Sequence, residues 1–361
     1  MCIYYKDCPS LNYTSGEHIF PAAIGGMQKL PVDYVSDQFN NDISKLEQDF
    51  FRLSLVSFAR ITAGPGKRGS LSGKNMTKSV VHILEDTSTG KHESLGYIKM
   101  GRSVEIPHVG INLSTGHMWA SFDRDAYESG DINLTNFSNS FKDPQKLRVR
   151  SIINENLEPD IVLFGIAEGV EENYNAFYAR HPCQTRESSD AFVRMVGEAL
   201  KAITLQAPTV QKYMPRSILN MKFSPDHLRV YAKVAFNYLA YLKGEAFVKQ
   251  EFFDLIRNWI AKGGTNSSVS LNAGKDVFKD ILLPKDHLAH SVIIFKSENI
   301  LAATVTLYGS MSAIVRLSDN FNAPFPTEGL FCIWKEKREL RLAEFVAESL
   351  VESRGQEKSK L

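Results

Sequence analysis

The sequence lacks any run of about 18 uncharged apolar residues, the length a membrane-spanning helix requires, so no membrane partner is expected. Cysteine is scarce. Cys2, Cys8, Cys183 and Cys332 are too few and too scattered in 361 residues to frame a disulfide-bonded domain, and reduced thiols follow. An excess of charge of either sign is also missing: 42 Lys and Arg stand against 41 Asp and Glu, which excludes a uniformly basic, nucleic-acid-coating surface. The opening Met-Cys-Ile-Tyr-Tyr-Lys-Asp has no apolar run leading to a cleavage site, so no signal peptide is read and the cytoplasm is the expected compartment. No internal repeat is visible. The 43% apolar and 23% charged residues are those of an ordinary globular protein, of a length that predicts two or three domains.

Basic charge is concentrated in one place. Between Phe50 and Leu84 lie Arg52, Arg60, Lys67, Arg68, Lys74 and Lys78, with no acidic residue among them. Within this stretch, Gly64-Pro-Gly-Lys-Arg-Gly-Ser-Leu-Ser-Gly-Lys has the composition of a linker or binding loop, and a domain boundary is placed there. Upstream, Ile43, Leu46, Phe50 and Leu53 recur at helical spacing, predicting an amphipathic helix from Asp42 with Asn41 or Asp42 as its cap. Downstream, strand-like segments are read at 79–84, 94–99, 160–166, 291–295 and 301–307, the last two joined as a hairpin. Helices are read at 188–205, 225–242, 251–261 and 335–352. The mixture predicts an α+β protein.

The densest chemistry lies near the start. Glu17-His18-Ile-Phe-Pro-Ala-Ala-Ile-Gly25-Gly26 is followed by Asn40-Asn41-Asp-Ile-Ser-Lys-Leu-Glu47, which delivers two amides to the predicted helix start. An adjacent acid and histidine on a strand point to opposite faces, and Pro21 with Gly25-Gly26 supplies a bend. A carboxylate, an imidazole and an amide oxygen suit metal-assisted phosphodiester hydrolysis. The oxygens hold a hard divalent cation while the neutral imidazole takes a proton from water.

These residues resemble the HNH endonucleases, in the branch with a Cys-x-x-Cys knuckle, Glu-His-Ile-x-Pro-x-x-x-Gly-Gly and a second Cys-x-x-Cys-Asn-Asn before a helix carrying Leu-Glu. The matches are Cys2, Glu17, His18, Ile19, Pro21, Gly25, Gly26, Asn40, Asn41, Leu46 and Glu47, all within residues 1–55. The resemblance implies a ββα-metal module at 1–60, with His18 as general base, Glu17 as a ligand of Mg²⁺ or Mn²⁺, and Asn40 or Asn41 completing the metal site. It further implies that Arg60 and, in the basic linker or loop at 61–78, Lys67, Arg68, Lys74 and Lys78 meet substrate phosphates. A larger α+β domain of unknown function at 79–352 and a disordered tail at 353–361 complete the expected organisation. The knuckle positions hold Cys2, Tyr5, Ser36 and Phe39, so structural zinc is not expected, and packing of Tyr4, Tyr5 and Phe39 is expected to replace it.

The function so implied is a metal-dependent endonuclease acting on DNA in preference to RNA, in a regulated system of the phage-defence kind, with an activating ligand and a homo-oligomer open. The alternative is an inactive HNH descendant that binds nucleic acid. Other signals carry less. Gly64-x-Gly-x-x-Gly69 follows a helix rather than a strand and lacks room for a crossover helix, which excludes a dinucleotide fingerprint. His287 and His290 are read as capping or surface residues, and Trp119, Trp259 and Trp334 as core.

Overall fold

The computed structural model describes residues 2–349 apart from 7, 9, 87–92, 124–127, 131–136, 138, 140–147, 153–159, 169–173, 180–189, 192, 199–214, 218–220, 222, 266–267 and 273–287. The protein is α+β. No helix among the described residues is long and apolar enough to cross a membrane. The chain forms two compact units, one made of Met1–Thr77 with Met221–Leu361, the other of Lys78–Asn220. This division differs from one drawn at a 61–78 linker: the N-terminal segment shares a core with the last third of the chain.

In the first unit, helices α1 (Asp37–Leu53) and α2 (Leu55–Ala63) precede α3 (Leu228–Lys243), α4 (Glu245–Val248) and α5 (Asp254–Lys262). Six antiparallel strands form one sheet: β10 (Val269–Asn272), β11 (His290–Ser297), β12 (Ile300–Leu307), β13 (Met311–Ser318), β14 (Glu328–Ile333) and β15 (Arg338–Arg341), in the order β10-β13-β12-β11-β14-β15. Strand alternation splits the side chains of β11 between two cores. Val292 and Ile294 join the cluster shared with α1 and α3, while Ile293 joins Phe331, Ile333 and Phe345 on the other side. The expected β11–β12 hairpin is present, with Ser297 paired to Ile300 across its turn. Burial of Val230, Val234, Ala235, Phe236, Tyr238 and Leu239 makes α3 the central helix of this core.

The second unit carries strands β1 (His82–Asp86), β2 (Glu93–Lys99), β3 (Arg102–Glu105), β4 (His108–Asn112), β5 (Met118–Ser121), β6 (Arg148–Ile152), β7 (Ile161–Glu168), β8 (Tyr174–Ala179) and β9 (Pro215–Ser217). They form two sheets, β3-β2-β1-β9 and β5-β4-β7-β8-β6. Of the helix expected at 188–205, residues 190–191 and 193–198 are helical and the rest lies outside the described residues, as do His287, Cys183 and the tail 353–361.

Three expectations need correction. Helix α1 starts at Asp37, five residues before the expected start, because the Ser36 hydroxyl accepts the Phe39 N–H and Phe39 extends the apolar stripe by a turn. Asn40 and Asn41 therefore lie inside the helix, not at its N-terminus. The segment expected as a helix at 335–352 carries instead strand β15, in which Leu340 pairs opposite Phe331; helix follows over 342–349, and 350–352 lie outside the described residues. His290 is fully buried rather than at the surface.

Candidate active site

Residues 17–19 and 28–30 pair as a short antiparallel hairpin that precedes α1, giving the order strand, strand, helix. Ile19 N–H donates to the Gln28 carbonyl at 2.9 Å, Leu30 N–H donates to Glu17 at 2.7 Å, and His18 bridges Lys29. Bridged residues share a face of the ladder, so the His18 imidazole and the Lys29 ammonium project together while Glu17 and Ile19 turn to the other side. Burial, followed by the Lys29 charge, holds the His18 pKa below its ordinary value, against the opposing pull of Glu17 and the Gly26 carbonyl. The imidazole is therefore neutral at pH 7, the state a general base needs. Its Nδ1 is buried without a hydrogen-bond partner among the described residues.

On the opposite face, the Glu17 carboxylate meets a group from far along the chain. Lys233 Nζ donates to Glu17 Oε1 at 2.6 Å and to Glu47 Oε1 at 2.7 Å. Lys233 is 1% exposed. Burial works against its charge, but the two carboxylates outweigh it and push the Lys233 pKa up. Burial of Glu47, reinforced by the Glu17 charge, raises the Glu47 pKa despite the lysine. One turn further along α3, Asn237 Nδ2 donates to the His18 carbonyl at 2.9 Å, and its Oδ1 accepts the Tyr4 hydroxyl at 2.6 Å. Tyr4 in turn stacks on Phe39 with centroids 3.8 Å apart, and Tyr5 meets Phe39 edge-on and donates to Asp42. The aromatic packing expected of Tyr4, Tyr5 and Phe39 is thus present. Beside it Ser36 bonds the Cys2 thiol, its N–H and hydroxyl 3.5 and 3.4 Å from Cys2 Sγ.

The turn between the paired strands is clamped from the sheet. His290 Nε2 bonds the Ile24 carbonyl, Cys332 Sγ lies 3.6 Å from the Gly25 carbonyl, and the Glu339 carboxylate accepts the N–H groups of Met27 and Gln28 at 3.0 and 2.7 Å. Close approach dictates both glycines. Gly25 has φ 93°, and a Cβ there would lie 2.6 Å from Trp334 Cβ; at Gly26 it would lie 1.8 Å from the Phe20 carbonyl oxygen.

The basic residues separate into different roles. Lys67 and Arg68 are exposed on a loop whose Gly69 packs on the same turn, a Cβ at Gly69 lying 3.3 Å from Gly25 Cα. Arg60, expected at the phosphates, is only 9% exposed and points an Nη1 at the Phe51 carbonyl; its place on the inner side of α2 removes it from that surface. Lys78 belongs to the second unit, where its ammonium lies 4.7 Å from the Tyr97 ring centroid. The Lys74 side chain is outside the described residues.

Of the expected metal donors, Glu17 has no second hydrogen-bond partner among the described residues, and Asn40 Oδ1 is buried and unbonded. Asn41 is exposed one residue on, about 100° around the helix, and does not share the direction of Asn40. No described contact joins the Glu17 carboxylate to the Asn40 amide; each is a hard oxygen of the kind Mg²⁺ or Mn²⁺ takes, an ion that keeps several waters and draws further ligands from substrate phosphate. Among the described residues no group of three or more His, Cys, Asp or Glu gathers that could hold a metal unaided.

Sequence reasoning missed Lys29, Lys233 and Asn237. The last two carried a signal: Lys and Asn four residues apart inside Leu-Arg-Val-Tyr-Ala-Lys-Val-Ala-Phe-Asn-Tyr-Leu, a helix otherwise apolar on that side. No protein-family model, no curated protein and no solved structure matches the chain.

Proposed function

We propose that the Met1–Thr77 segment carries the site of an HNH-type endonuclease that hydrolyses phosphodiester bonds, with DNA as its substrate. The observation that supports this reading is the neutral, half-buried His18 on a strand–turn–strand–helix, one residue from a carboxylate held in place and ahead of the unbonded Asn40 oxygen. His18 accepts a proton from the attacking water. Lys29, on the same face, offers positive charge to the phosphate, and Lys67 and Arg68 meet flanking phosphates. Glu17 leaves the strand on the other face, but its charge still reaches the His18 imidazole, and Glu17 and Asn40 would hold Mg²⁺ or Mn²⁺, whose contribution when bound is to neutralise charge on the phosphate oxygens.

A second reading, a nucleic-acid-binding descendant without cleavage, draws support from a specific contact: the Lys233 ammonium already occupies one oxygen of Glu17. Incubation of plasmid DNA with the full chain in Mg²⁺, Mn²⁺ or EDTA separates the two. Metal-dependent nicking that falls ~10²–10⁴-fold in His18→Ala supports the nuclease. Salt-sensitive binding with no metal-dependent nicking transfers the assignment to the binding protein.

A further inference from the structure

A buried lysine between two carboxylates can be a strut or a resident counter-ion. The two differ in what happens to the carboxylates when the lysine is removed. Here the Glu17 and Glu47 Oε1 atoms lie 2.6 and 2.7 Å from one Nζ, so both flank the same small volume. The cluster has two acids to one base, and each acid is still partly open to solvent, with side-chain exposures of 15% for Glu17 and 20% for Glu47 against 2% for Lys233. The lysine is fixed by its helix. Asn237, one turn on, grips the backbone of His18, so the same helix face orients the residue after Glu17 as well as Glu17 itself.

We propose that Lys233 is the positioning residue of this site: its ammonium is the standing counter-cation of Glu17 and Glu47, fixing the Glu17 carboxylate and holding down its affinity for a divalent ion. The inference rests on the nuclease reading for the ion chosen as probe, but it stands or falls on ion binding rather than on cleavage. Among the described residues Lys233 donates to Glu17 and Glu47 only, so removing its charge leaves two carboxylates facing a vacated cation position. A strut would leave ion affinity where it was.

The test is calorimetric titration of Mn²⁺ into the full-length parent, K233R, K233M and the double variant E17Q/K233M, alongside plasmid nicking. K233M is expected to bind Mn²⁺ at least tenfold more tightly than the parent, K233R to match the parent, and E17Q/K233M to lose the gain. Nicking by K233M is expected to fall at least tenfold despite the tighter ion, because Glu17 is no longer held. A folded K233M with unchanged or weaker Mn²⁺ binding overturns the proposal. If no variant nicks DNA while the Mn²⁺ gain is present, the nuclease reading fails and the role of Lys233 stands. Should K233M not fold, E47Q decides: it leaves the ammonium to Glu17 alone, so Mn²⁺ affinity is expected to drop at least threefold, and affinity equal to the parent overturns the proposal.

Discussion

His290 donates from Nε2 to the carbonyl of Ile24 at 3.0 Å, while its Nδ1 accepts the backbone N–H of Tyr308 at 3.0 Å. With one nitrogen giving a proton and the other receiving one, the ring is locked as the neutral Nε2–H tautomer between the sheet and the turn at 21–26. Protonation would place a hydrogen on Nδ1 against the Tyr308 N–H, and burial pushes the His290 pKa down to about 3. An unfolded histidine titrates near ~6.5. The unfolded chain therefore takes up the proton first as pH falls, and the contribution of this residue is whole above pH ~6.5 and lost progressively toward pH 3. Melting temperature should fall through that window, and His290→Gln, less stable at pH 8, should show a shallower fall. An equal slope in both proteins would separate His290 from the acid sensitivity.

Gly26→Ala should be severely destabilising, since its Cβ would meet the Phe20 carbonyl oxygen at 1.8 Å and backbone has nowhere to yield. A loss above ~3 kcal/mol in urea denaturation is expected, set against the ~1 kcal/mol typical of point substitutions. Ala at Gly73, where an added Cβ meets nothing within 4 Å, should change stability little. The pair reports whether the turn or the loop carries the constraint.

Lys67→Ala with Arg68→Ala should weaken DNA binding and lower the slope of log K against log salt by about 2, as two phosphate contacts are lost. Arg60→Ala should leave that slope intact and lower the melting temperature instead, because Arg60 is packed beneath α2 with an Nη1 on the Phe51 carbonyl. Fluorescence anisotropy across a salt series, with thermal melts of the same samples, distinguishes the two classes.

The nicking rate should rise with pH to a plateau, with its midpoint below pH ~6.5, since the His18 pKa is lowered by burial and the Lys29 charge. Lys29→Ala removes the second of these causes, so the midpoint should move up. A midpoint that stays put would mean that the titrating group is not His18.

The local geometry was legible in the sequence: Glu17, His18 and the Gly25-Gly26 turn lie in a bent strand pair, and the stripe through Ile43, Leu46 and Phe50 faces the core side of α1. The start of that helix was misread because Ser36 caps it through a side-chain bond that periodicity does not register. What the sequence withheld was long-range. The separation of 216 residues between Glu17 and Lys233 leaves no local trace, and the edge pairing that turns Arg338–Arg341 into a strand depends on β14 being next to it. Charge density along the chain placed Arg60 with Lys67 and Arg68, but only the packing of α2 reveals that its guanidinium faces inward.

The contacts of the paired strands are supplied by residues synthesised long after them. A nascent chain that has emerged only as far as the second unit exposes Glu17 and Glu47 with no ammonium between them. Its turn at 21–26 is likewise without His290, Cys332 and Glu339. Assembly of this region must therefore wait for the last strands, making it a late, high-contact-order event in folding. The paired strands are thus finished after the segments that follow them, and whatever chemistry they perform is withheld until Lys233 and the strands carrying His290, Cys332 and Glu339 are in place.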